Sequence, residues 1–113
     1  MATVNYDQTV LRQKHAELIT WEGLAGGDVG SSYELPFWAG SATMQAIGTF
    51  DGNTLTIQGS NDGSNWSSLT DPQGNAIAVT SASLEVVEEY PRYIRPSLGG
   101  SGGDVDILLF VRR

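Results

Sequence analysis

Gln58-Gly59-Ser60-Asn61-Asp62-Gly63-Ser64-Asn65-Trp66-Ser67-Ser68-Leu69 carries a strand end, a polar turn and a return to apolar residues. From Thr54 to Ser60 the chain alternates, with Leu55 and Ile57 on one side and Thr54, Thr56 and Gln58 on the other. That two-residue period is the mark of a half-buried strand. Asn61, Asp62, Gly63, Ser64 and Asn65 are the residue types that tight turns select, Gly63 for its backbone freedom and Asp62 for its local hydrogen bonds. Trp66 and Leu69 are then expected to re-enter the core, so that the turn holds two strands in register.

The rest of the chain repeats this grammar. Ala16 to Leu24 reads as a strand with Ile19 and Trp21 on one face, and the cluster Gly26-Gly27-Asp28-Val29-Gly30 ends it. Ser32 to Trp38 is a short aromatic strand that Pro36 confines to an edge or a bend. Ser41 to Phe50 alternates, with Ala42, Met44, Ala46 and Phe50 on one face and Ile47 as the exception on the other. Asp51-Gly52-Asn53 signals a hairpin, because Asp-Gly suits the turn geometry that matches strand twist. Ile77 and Val79 mark another short strand. Ser81 to Glu89 suits a bulged strand or one helical turn, of which the strand is preferred. Arg92 to Leu98 places Ile94 inward, and Gly99 to Gly103 reads as a flexible loop. In the final strand, Asp104 to Arg113, Val105, Ile107, Leu109 and Val111 share one face while Leu108 and Phe110 make the other face apolar too. A strand apolar on both sides is central in its sheet or lies in a subunit interface.

About eight strands at spacings of roughly 8 to 12 residues predict an all-β domain, a single β-sandwich or jelly roll over residues 16–113. Residues 1–15 show neither period and read as a short N-terminal arm, either a frayed terminus or a segment whose Tyr6, Val10 and Leu11 order on a neighbouring subunit; a short helix over Gln8–Lys14 is a third possibility. A length of 113 residues suffices for one core. Fourteen glycines and a charged fraction of 17% favour strands and turns over a helix bundle.

Composition removes several kinds of chemistry. There is no cysteine, which excludes disulfides and thiolate metal sites. The single histidine, His15, stands in the least patterned segment, so neither a Ser–His–Asp triad nor a zinc site with three or four His or Cys ligands is expected. Glu85, Glu88, Glu89, Asp104 and Asp106 contain no convincing pair for glycoside hydrolysis. Asn61, Asp62 and Asn65 resemble a fragment of a calcium loop, but they lack its twelve-residue spacing and its final Glu. A formal net charge of −7 with six basic residues argues against nucleic acid. The first residues lack the pattern of a signal peptide, and no run of about 18 apolar residues exists to cross a membrane. A protein made and kept in a cytoplasm, or assembled there into something larger, is the expectation. Phe37 and Trp38 flank the edge-like Pro36, where at least one ring is expected at the surface to meet a partner or a sugar.

Ser60-Asn61-Asp62-Gly63-Ser64-Asn65-Trp66 with Leu69, Arg92-Tyr93-Ile94-Arg95 and the apolar last strand resemble a pattern in small virion proteins of tailed bacteriophages, the capsid decoration (cement) proteins and related β-sandwich accessory proteins. The resemblance spans about residues 42–113. The same elements resemble, more weakly, discoidin-type jelly-roll domains, which bind glycans or lipid headgroups; this chain is shorter and lacks their terminal disulfide. In physical terms, Asp62 and Gly63 form the turn, Trp66 plugs the core, and Arg95 is expected to pair with Asp62 or Asp71. The resemblance implies a non-enzymatic protein of the outer capsid surface, assembled in the host cytoplasm. It would act as a homotrimer that clamps adjacent major capsid proteins, with no cofactor. Interface candidates are Tyr6, Val10, Leu11, Phe37, Trp38, Leu108 and Phe110. The alternative is a carbohydrate-binding module for a surface glycan, or a tail or baseplate accessory protein.

Overall fold

The structure, a computed structural model, describes residues 2–10 and 15–113. Its described strands, in chain order, are β1 (Thr3–Val4), β2 (Tyr6–Val10), β3 (Ala16–Leu24), β4 (Val29–Gly30), β5 (Tyr33–Glu34) and β6 (Ser41–Thr49). They continue with β7 (Leu55–Ser60), β8 (Ser67–Ser68), β9 (Ala78–Val79), β10 (Ser83–Val86), β11 (Tyr93–Leu98) and β12 (Asp104–Arg112). One sheet runs β10-β6-β12-β3-β2 and is antiparallel throughout. The other runs β1-β4-β11-β7-β8, with β5 on β11 and β9 on β7. The protein is all-β, a two-sheet sandwich of jelly-roll type.

The doubly apolar last strand lies in the middle of the five-stranded sheet, between β6 and β3. Its inward residues Val105, Ile107, Leu109 and Val111 are buried with Ile19, Trp21 and Leu24 of β3 and Ala42, Met44 and Ala46 of β6. Leu55, Ile57, Ile94 and Leu98 close the core from the opposite sheet. Trp21 is the largest fully buried side chain, and its indole N–H donates to Ser31 O at 3.0 Å. That bond satisfies the one polar group that burying the ring would otherwise strand.

Four expectations need correction. First, the N-terminal segment is not a free arm in its described part. β1 adds to β4 in one sheet and β2 forms the edge of the other beside β3, so the chain bridges both sheets before the proposed boundary at residue 15, and no helix starts at Gln8. Tyr6 packs edge-on against Trp21 and Tyr33, with centroids 6.0 and 5.5 Å away. Val10 ends β2, and Leu11 lies outside the described residues.

Second, Asp51-Gly52 makes its turn but not a hairpin. Both residues have positive φ (54° and 77°) and Asn53 N donates to Phe50 O at 2.9 Å, yet β6 and β7 belong to different sheets. Phe50 and Leu55 are both buried, and the turn carries the chain across the sandwich between them.

Third, Trp66 is not in the core. Ser67 lies opposite Gly59 and Ser68 opposite Gln58, so strand alternation sends Leu69 inward and Trp66 outward, where it is half-buried.

Fourth, the glycine-rich loop after β11 is packed rather than loose. Buried Asn53 donates through Nδ2 to Ser101 O and Gly102 O, at 3.1 and 3.0 Å. Gly100 has φ +84°, and a Cβ there would stand 2.0 Å from Asn53 Oδ1. Gly74 has a similar φ of +85° but open space around it. Gly74→Ala is therefore expected to cost about 1–2 kcal/mol, the left-handed backbone penalty alone. Gly100→Ala adds overpacking of roughly 1–3 kcal/mol. Urea unfolding of both variants checks this; equal losses would show that Asn53 does not hold the loop closely.

Candidate interaction surfaces

The five-stranded sheet turns an apolar face to solvent. Residues opposite one another in an antiparallel ladder share a face, and β12 sets that alignment on both sides. Phe110 lies opposite Thr43 and Leu18, Leu108 opposite Gln45 and Thr20, and Asp106 opposite Ile47. Leu84 and Val86 of β10 lie opposite Gln45 and Thr43. Leu18, Ile47, Leu84, Val86, Leu108 and Phe110 therefore share one outward face, with Thr20, Thr43 and Gln45 set among them; Leu84 is 67% exposed, Val86 46% and Ile47 42%. Leu108 and Phe110 were legible as interface candidates. The other four were not, because Ile47 looked like a lone exception and Leu84 sat in a stretch of ambiguous period. Asp7, Glu22 and Asp106 share this outward parity toward the β3–β4 end of the face, and Arg112 stands at the opposite end.

Phe37 and Trp38 part company. Ala39 N donates to Pro36 O in a tight turn that leaves Phe37 99% exposed. Trp38 is half-buried, with its ring 5.1 Å from that of His15 and its body packed on the core. His15 Nδ1 lies 3.5 Å from Arg113 Nη1. Among the described residues its ring meets an indole and a guanidinium.

The polar turn between β7 and β8 uses its acceptors internally. Asp62 Oδ1 accepts from Ser64 N and Asn65 N, both at 2.8 Å, and from the Ser60 hydroxyl at 2.9 Å, while Oδ2 accepts from Asn65 Nδ2 at 2.7 Å. These bonds, the backbone N–H of Asn65 first, hold the Asp62 carboxyl well below the usual carboxylate range. Gly63, at φ +77°, lies against the Tyr93 ring. Among the described residues no three His, Cys, Asp or Glu side chains gather as a metal site would require.

Beside this turn lies an open groove of about 550 Å³, with Gly59 and Leu69 at its floor and Asn61, Asn65, Glu89 and Tyr90 among its walls. Glu89 accepts from Thr70 N at 2.7 Å and from the Thr70 hydroxyl, and the Thr70 bonds hold its carboxyl below the ordinary value. Tyr33 is shifted the other way: burial, then its 2.5 Å hydrogen bond to Glu17, push the phenol well above its ordinary value.

Arg95 is paired with neither Asp62 nor Asp71. It lies on the outward side of β11 opposite Gln58, to whose Oε1 its Nε donates at 2.9 Å. Its guanidinium stands 4.1 Å from the centroid of the Trp66 ring. Both oxygens of Asp62 are engaged within its own turn, and Arg95 rests on Gln58 and the Trp66 ring instead. The ion pair on this side is Arg92 Nε with Glu34 Oε2 at 2.8 Å, and Arg92 also lies 5.0 Å from the Tyr93 centroid.

No family model and no curated protein matches the chain. Among solved structures it is similar to a cupin domain (bp2299) of Bordetella pertussis Tohama I, at 11% identity and a TM-score of 0.45 over 100% of this chain and 99% of that one. It is similar to KdgF from Halomonas sp., at 10% identity and a TM-score of 0.43 over 96% and 77% of the two chains. It is also similar to protein NMB1881 from Neisseria meningitidis, at 10% identity and a TM-score of 0.39 over 91% and 80%. Similarity at this level assigns no site and no activity.

The hydrogen bonds to Asp62 give the turn a defined pH dependence. Its folded pKa lies below its unfolded value, so its contribution is complete above about pH 4 and is lost as pH falls through the folded value. Asp62→Asn is expected to lower the urea midpoint at pH 7, and the gap from wild type should shrink toward pH 2. An equal gap at both pH values would show that the charge on Asp62 is irrelevant to the turn.

Proposed function

We propose that this chain is a non-enzymatic assembly protein that works by burying surface, and that the apolar face of the five-stranded sheet is its contact with other copies of itself. The observation that carries this is the patch of Leu18, Ile47, Leu84, Val86, Leu108 and Phe110 on the outward side of one sheet. A sheet with one side packed on the core ordinarily keeps polar residues on the other. An apolar centre of this kind marks an interaction site. Asp7, Glu22 and Asp106 at one end and Arg112 at the other favour a second copy as the occupant. A neighbouring copy whose Arg112 end meets this acidic end brings unlike charges together.

The resemblance of the Ser60–Trp66 and Arg92–Arg95 elements to virion accessory proteins extends the proposal. In that reading the chain is an outer-capsid decoration protein of a tailed phage, a homotrimer that clamps adjacent major capsid proteins. Symmetric interfaces of about 800 Å² per partner provide holding strength without chemistry. In the glycan-binding alternative the open ring of the pair is Phe37, since Trp38 lies against His15 and the core.

Light scattering on the full chain tests self-association. A small oligomer is expected, and Leu84→Glu or Phe110→Glu should weaken it at least tenfold, about 1.4 kcal/mol, while the far-ultraviolet circular dichroism stays unchanged. A wild-type monomer at high concentration overturns the contact. Retention of the protein on capsids that lack it, lost on disrupting the patch, tests the virion role separately.

A further inference from the structure

The opposite side of the sandwich carries a cation without a counter-charge. Arg95 projects from β11, a strand with neighbours on both sides, and two contacts fix its guanidinium: the Trp66 ring at 4.1 Å and Gln58 Oε1 at 2.9 Å. Neither contact is anionic. Among the described residues no carboxylate lies within 4.0 Å of Arg95, and its terminal amino groups donate to no protein acceptor. Carboxylates are abundant in a chain of net charge −7, yet those on this side are committed elsewhere. Glu34 holds Arg92, and both oxygens of Asp62 accept bonds within the turn. Partial burial draws the Arg95 guanidinium below its ordinary value, a sign that its charge is incompletely solvated and incompletely compensated.

We propose that Arg95, stacked on Trp66 and steered by Gln58, is the anchor of a second docking face that receives a surface carboxylate of a protein partner. A guanidinium held at Nε and over one ring is pre-organised to present its terminal amino groups as a fork, the geometry that takes both oxygens of a carboxylate. The surroundings suit a protein rather than a small molecule. Small ligands occupy concave sites, whereas the groove beside the β7–β8 turn includes neither Arg95 nor Trp66. Arg, Trp and Tyr are the residue types that dominate protein hot spots, and Arg92, Tyr93, Arg95 and Trp66 bring all three together here. Phosphate of a nucleic acid is a poor match, since it needs several cations in a row and Arg92 is already paired. This face is independent of the apolar patch: each belongs to a different sheet.

Nuclear magnetic resonance on the full isotope-labelled chain tests the proposal, in the wild type and in Leu84→Glu. The probes are the peptide acetyl-Gly-Glu-Gly-amide, its Gln analogue and free galacturonate. The Arg95 Nε–H and Trp66 indole signals are expected to move with the Glu peptide and not with the Gln peptide, equally in both proteins. Arg95→Lys should weaken the response at least threefold, and Arg95→Gln should abolish it. No response to the Glu peptide, an equal response to the Gln peptide, or an undiminished response in Arg95→Lys overturns the proposal. Galacturonate binding tenfold tighter than the peptide overturns the protein partner in favour of an acidic sugar. A response retained in Leu84→Glu separates this face from self-association.

Discussion

Successive residues of a strand point to opposite sides, and in β12 both sides are apolar. Val105, Ile107, Leu109 and Val111 are buried, so Leu108 and Phe110 are turned out. Because β12 pairs with β6 and with β3, its register dictates which residues of those strands share each face. A slip of one residue would bury Leu18, Ile47 and Phe110 and expose Ile19, Met44 and Ile107. The core and the outward patch are thus two consequences of one alignment. The apolar centre of that face follows from Leu108 and Phe110, which alternate with the buried residues of the same strand.

The two outer faces then differ in chemistry. The five-stranded sheet offers branched and aromatic carbon with charge at its ends, which suits association by area. The other sheet offers a planar cation stacked on an indole, a paired Arg92 and an edge groove of amides and hydroxyls. The perturbed acids have structural causes: Asp62 is spent on its turn and Glu89 on Thr70.

Much of this was readable from local pattern. Strand spacing, the alternation of Ser41 to Phe50, the turn at Asp62-Gly63 and the two-sided apolarity of the last strand each express a local preference that the fold respects. The readings that failed required knowledge of what lies across from a residue. Asp51-Gly52 has the backbone of a hairpin turn, yet it joins strands of different sheets because Phe50 and Leu55 both face the core. Trp66 was placed inside for its size, but the pairing of Ser67 with Gly59 sends it outward, and Trp21 fills the centre instead. The loop of Gly99 to Gly103 is glycine-rich because Asn53 must approach it closely, not because it swings free.

Sequence by itself determined the class of structure, the strand-and-turn rhythm, the absence of cysteine and the double-sided character of β12, because each is a property of composition or of neighbouring residues. Tertiary structure alone decided that β1 and β2 join both sheets, that Leu18, Ile47, Leu84 and Val86 fall on the outward face of Leu108 and Phe110, and that Arg95 rests on Trp66 rather than on an aspartate. Those outcomes depend on strand register and sheet order, which bring together residues far apart in the chain. Gln58–Leu69 holds both kinds of information: its turn was written locally, and the direction of its tryptophan was settled only by the strand it pairs with.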